Sequence, residues 1–112
     1  MRPLLSVALL LAVVPIANAK QSHYFTGNDL HELCLADRVA VTLYVTGAVD
    51  ETLYRAVSST SYRSPFCLRE GIRAGQLGDT ICKRLSEEPE IRDLPAAPIV
   101  WTTLRAAFPC SP

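Results

Sequence analysis

The chain has only two histidines, five scattered glycines and no net formal charge, with 11 basic residues against 11 acidic ones. A histidine-built metal site, a glycine-rich loop cradling phosphate and a basic surface for nucleic acid are therefore all unsupported. Internal repeats and low-complexity tracts are missing, and no two of the four cysteines form the close C-x-x-C pair of a structural zinc site. One small domain fits 112 residues of which 49% are hydrophobic.

The apolar residues are unevenly distributed. Leu4 to Val14 is almost wholly aliphatic, follows Arg2, and leads through Pro15 to the small residues Ala17 and Ala19. This run is too short for a membrane span, which needs about 20 apolar residues, and it reads as a signal peptide over residues 1–19, cleaved after Ala19. Lys20 follows, not the cysteine that begins a lipid-anchored chain. The remaining 93 residues, 20–112, carry 10 basic and 11 acidic side chains. A soluble exported domain is expected, with no membrane attachment after cleavage and no nucleic-acid partner. Cys34, Cys67, Cys82 and Cys110 all survive cleavage, and an even count in a small exported chain points to two disulfides.

Three breaks divide the exported part. Thr26, Gly27 and Asn28 precede an apolar rhythm of Leu30, Leu33 and Cys34, with Asn28 as a helix cap. The hydroxyl-rich run from Ser58 to Ser61, continuing to Ser64 and Pro65, reads as a loop. Ser86 to Pro95 is acidic, proline-bearing and exposed, holding Glu87, Glu88, Glu90 and Asp93. Helices are expected from about Ile72 to Ser86, on Ile72, Leu77, Ile81 and Leu85, and from about Pro95 to Phe108, on Val100, Leu104, Ala107 and Phe108.

Arg38 to Thr46 is ambiguous. Val39, Val41, Leu43 and Val45 alternate with Ala40, Thr42, Tyr44 and Thr46, a pattern that local rules assign to a strand. A helical reading gathers Val41, Tyr44, Val45 and Ala48 on one face that continues toward Leu53, Tyr54 and Val57. Periodicity leaves both open.

Several short elements occur in a telling order: Leu33-Cys34, Tyr44-Val45-Thr46-Gly47-Ala48-Val49-Asp50, Cys67 followed by Gly71-Ile72, Gly75-Gln76-Leu77, Leu85, Glu88-Pro89-Glu90, Pro95-Ala96 and Ala107-Phe108-Pro109-Cys110. Together they resemble the Rap/Tai immunity proteins, small exported helical proteins that neutralise peptidoglycan amidase effectors delivered by type VI secretion. The resemblance implies an all-α bundle of about four helices, places Tyr44, Gly47 and Asp50 on a helix, and makes Gln76, Leu77 and Pro109 family-motif structural residues. It also implies a homodimer and a cell-wall amidase as partner. Val41 and Cys82 depart from the family pattern, which usually has a cysteine at the first position and an aliphatic residue at the second. The bridge pattern of the family therefore does not transfer directly.

A geometric argument addresses the pairing separately. If the last two helices form an antiparallel hairpin, Cys110 comes near Cys67. Cys82 then lies roughly 15 Å along its helix, beyond the approximately 7 Å that a bridge spans between Cα atoms. Cys67 with Cys110 and Cys34 with Cys82 are favoured, although the connecting loop is long enough for another arrangement.

His31 stands three residues before Cys34 and suggests a Cys/His nucleophilic pair, but a bridged cysteine cannot attack a substrate. No catalysis, cofactor or metal is expected. Tyr44, Gly47 and Asp50 read as structural, while Tyr54, Tyr62 and Trp101 are candidate interface anchors. The first candidate contact with a partner is the anionic stretch of Glu87, Glu88, Glu90 and Asp93, suited to a cationic rim or an imidazolium. A structural or chaperone-like periplasmic protein of the same fold, without an effector partner, is the alternative.

Overall fold

The computed structural model describes residues 23–112 together with Pro3. The expected signal peptide and its cleavage point, Pro3 aside, lie outside the described residues. Four α-helices follow in order, α1 (Gly27–Ala36), α2 (Arg38–Ser58), α3 (Ala74–Glu87) and α4 (Ala96–Ala107), with a short 3₁₀ turn at Pro89–Ile91. Among the described residues the only β pairing is an isolated bridge between Thr26 and Pro95. The chain is all-α.

The cap of α1 is Thr26 and not Asn28. The Thr26 hydroxyl accepts from the Asp29 backbone N–H at 3.3 Å, and the Asp29 carboxylate accepts from the Thr26 N–H at 2.8 Å. This reciprocal box occupies donors that the first turn leaves open. Asn28 lies inside the helix instead, and its side chain donates to Asp93. The Thr26 backbone and side-chain hydrogen bonds hold the Asp29 carboxyl below its ordinary value. A pKa depressed in the folded state gives stability that is present above about pH 4 and lost as pH falls through the folded value. Acid titration of the unfolding midpoint is therefore expected to show a smaller loss below about pH 4 in Asp29→Asn than in the unmodified chain.

Asp37 separates α1 from α2. It ends the first helix through its N–H to the Leu33 carbonyl, and its carboxylate accepts from the N–H groups of Val39 and Ala40, starting the second. The stretch that local rules assigned to a strand is thus helical, as the family resemblance implied. Val41 and Val45 are fully buried, whereas Val39 and Leu43 are each 68% exposed. Alternate apolar residues would share one face of a strand, but a 100° step per residue divides them between opposite faces of a helix. The apolar face does not continue as the sequence suggested. Val49 and Thr52 carry it onward, with the Thr52 hydroxyl donating to the Ala48 carbonyl, while Leu53, Tyr54 and Val57 are exposed.

Phe66, from the segment between α2 and α3, is buried with Leu30 of α1, Val41 and Val45 of α2, Ile81 and Leu85 of α3, and Val100 and Leu104 of α4. α3 begins at Ala74, two residues later than the apolar rhythm suggested, and Ile72 packs against the core from outside it. The Gln76 side chain accepts from the Arg73 N–H at 2.7 Å, fixing this start. α4 ends at Ala107, which is exposed; Phe108 follows as the helix cap and packs at the edge of the core.

Two disulfides take up all four cysteines. Cys34–Cys82 joins α1 to α3 with a Cα separation of 5.6 Å, and Cys67–Cys110 joins the segment before α3 to the tail after α4 with a Cα separation of 4.8 Å. The first is buried and the second exposed.

Candidate functional site

The acidic turn after α3 is built by its own basic neighbours. Arg92 folds back so that its guanidinium donates to the carbonyls of Leu85 and Ser86, supplying partners for the end of α3. Pro89, which has no N–H to satisfy, opens the 3₁₀ turn. Arg84 donates to Glu88 at 2.6 Å and also to the hydroxyls of Thr102 and Thr103 on α4. Lys83 lies 3.9 Å from Glu87.

The start of α1 clamps the other side of the turn. Gly27 N–H donates to the Leu94 carbonyl at 2.9 Å, Asn28 N–H to the Arg92 carbonyl at 2.7 Å, and Asn28 Nδ2 to Asp93 at 3.1 Å. These bonds hold the turn in one conformation before any partner arrives, which lowers the ordering cost of binding.

The turn is less anionic than its sequence suggested. Glu87 pairs with Lys83, Glu88 with Arg84, and Asp93 accepts from Asn28 of α1. Glu90 alone of the four acids has neither a hydrogen bond nor an ion pair, and it is exposed.

The family-motif residues are spread over the surface and core. Tyr44 is half-buried and meets the Phe25 ring edge-on, with 5.4 Å between centroids. Burial raises the pKa of its phenol. Gly47 and Asp50 are exposed on α2, and a Cβ at Gly47 would meet nothing within 4 Å. Gly47 therefore does not serve a close approach between the described helices. Leu77 is buried, Gln76 caps α3, and Pro109 lies in the exposed tail beside the Cys67–Cys110 bridge.

Of the candidate anchors, Tyr54 is 71% exposed, Tyr62 packs under the Arg55 guanidinium, and Trp101 is half-buried. Trp101 lines an apolar groove of about 510 Å³ with Tyr24, Phe25, Tyr44, Pro95 and Pro98. Its indole Nε1 is buried without a hydrogen-bond partner, as is Nδ1 of His31. The Cys34 sulfur is bonded to Cys82, which removes the thiolate that a pair with His31 would need. Among the described residues no cluster of three or more His, Cys, Asp or Glu side chains could hold a metal ion, and no helix is long and apolar enough to cross a membrane.

A surface that the sequence marked as a candidate contact only at Tyr54 is the outer side of α2. Val39, Leu43, Tyr54 and Val57, at 68%, 68%, 71% and 85% exposure, lie opposite the buried valines. The signal was the alternating stretch itself, because enough apolar residues to serve both a strand and a helix put apolar groups on two faces of the helix. One of those faces lacks a neighbour among the described residues. Exposed apolar stripes of this kind mark contact with another macromolecule.

Comparison with known proteins agrees with these features. The sequence model of the Rap1a immunity proteins matches residues 26–110, from the cap of α1 to the last cysteine. No curated protein and no solved structure matches the chain.

Proposed function

Because this chain belongs to the Rap1a immunity proteins, we propose that it is exported by a cleaved signal peptide over residues 1–19 and works in the periplasm as the domain 20–112. There it binds and blocks a peptidoglycan amidase delivered by type VI secretion, protecting the producing cell from self or sibling intoxication. Inhibition requires no chemistry from the immunity protein. A rigid body seated over the amidase cleft keeps the wall substrate from the nucleophile. In this reading the protein acts as a homodimer.

The observation that carries the proposal is the family match over almost the whole helical domain. The acidic turn supports it as a contact, because hydrogen bonds from α1 hold the turn rigid and Glu90 projects from it without a partner. A fixed carboxylate suits a cationic rim or a catalytic imidazolium, and charge complementarity acts mainly on the rate of encounter.

Survival of a sensitive host that produces periplasmic amidase effectors, with and without this protein, tests the function. Rescue is expected, and it should vanish when residues 1–19 are deleted. Failure against every amidase effector encoded beside the gene would reject the proposal. A second measurement addresses the turn: at low salt, Glu90→Lys is expected to slow association with the amidase by about 10-fold, with the difference shrinking as salt rises. An unchanged rate would remove the turn from the interface.

A further inference from the structure

We infer that α2 pairs antiparallel with α2 of a second copy of this chain, along the outer stripe that runs from Val39 to Val57. This deepens the homodimer reading above by assigning its interface and register. Val39 and Val57 are 18 residues apart, five helical turns, so the stripe runs straight along the helix for about 27 Å. Between them Leu43, Gly47, Asp50 and Tyr54 face the same way at helical spacing.

The choice of a second copy follows from the order of the residues. A two-fold axis beside Ala48 sets Val39 against Val57, Leu43 against Tyr54, and Gly47 against Asp50. Every apolar group then meets an apolar group from the other copy, as an isologous interface requires. The only charged group of the stripe, Asp50, meets a glycine backbone over which a Cβ would find open space. Missing side-chain bulk at Gly47 lets the two helices approach near the middle of the contact. Six residues of this kind cover on the order of 600 Å² on each copy, roughly 1,200 Å² in all, at the lower edge of specific protein interfaces.

Sedimentation of the oxidised, exported chain over a range of concentrations tests the pairing, with circular dichroism to monitor the fold. The chain is expected to form a dimer, and Leu43→Glu or Tyr54→Lys alone should weaken it by at least about 30-fold without loss of helicity, since both positions are exposed. Mixing the two variants should restore association. The introduced acid and base then oppose each other in one layer, while Leu43 and Tyr54 remain paired in the other.

A chain monomeric at every concentration would overturn the inference, as would single variants that still dimerise. Failure of the mixture to reassociate would overturn the antiparallel register. Protection of the host is scored separately. Protection by a monomer leaves the blocking function standing without this interface, and a monomer whose Leu43→Glu variant no longer protects would give the stripe to the amidase. A dimer that protects against no amidase leaves the pairing standing without the blocking function.

Discussion

Replacing Cys34 and Cys82 together by alanine is expected to remove about 4 kcal/mol of stability, since the bridge closes a loop across a sequence separation of 48. Both sulfurs are in the core, at 8% and 3% exposure, so the alanines also leave space between α1 and α3 that the helices must close. Small domains have a total of about 5 to 15 kcal/mol. The variant is therefore expected to be partly unfolded at 37 °C, with its urea midpoint far below that of the unmodified chain. A midpoint within experimental error of the parent would show that the hydrophobic core alone holds α1 against α3.

The second bridge spans a separation of 43 and has a similar chain-entropy value of about 4 kcal/mol. Its position makes it behave differently. Cys67 and Cys110 are exposed and fasten the tail after α4 to the segment before α3, where the Cys67 N–H also donates to the Phe108 carbonyl at 2.9 Å. A reducing thiolate can reach this bridge in the folded protein, whereas Cys34–Cys82 opens only when the helices part. Trapping and mass analysis during stepwise reduction should show a species with Cys67 and Cys110 alkylated and Cys34–Cys82 intact. Reduction in the reverse order would contradict the burial argument.

Gly27 gives the second large effect. A Cβ there would stand 2.7 Å from the Arg92 Cα, 2.7 Å from the Ile99 Cδ1 and 2.9 Å from the Arg92 carbonyl oxygen. Two of these atoms are backbone, and the hydrogen bonds from Gly27 to Leu94 and from Asn28 to Arg92 keep that backbone in place. Gly27→Ala is expected to cost about 1 to 3 kcal/mol, and Gly27→Val more, because α1 must be prised from the acidic turn.

Gly78→Ala should be milder. Its nearest neighbour is the Thr42 hydroxyl at 2.8 Å, the movable end of a side chain, with the Thr42 Cα at 3.4 Å. Gly47→Ala meets nothing and gains about 1 kcal/mol of helix propensity. Thermal unfolding of the isolated subunit, measured at concentrations too low for association, should rank the three in that order. If Gly27→Ala unfolds no earlier than Gly78→Ala, the contact at the turn is looser than described.

The sequence showed Gly27 only as punctuation before a helix. Its actual constraint comes from Arg92 and Ile99, more than 60 residues away in the chain. The cap was misplaced for a related reason. Thr26 and Asn28 are both good capping residues, and the identity of the cap follows from the Thr26–Asp29 box together with the use of Asn28 to bind Asp93. The acidic turn kept its place in the sequence but has less free charge than expected, because Lys83 pairs with Glu87 and Arg84 with Glu88.

Composition and short-range spacing alone determined a small domain with four cysteines, a helix at each of the regions around Leu30, Ile81 and Leu104, and breaks near Ser58 and Pro89. These properties are local, since capping, periodicity and proline act within a few residues. Tertiary structure alone decided the fate of α2. Its apolar residues are numerous enough for two faces, and only packing against Leu30, Ile81 and Val100 selects which of them is interior. The other face is left open because burial is a property of neighbours in space, and no neighbour among the described residues reaches it.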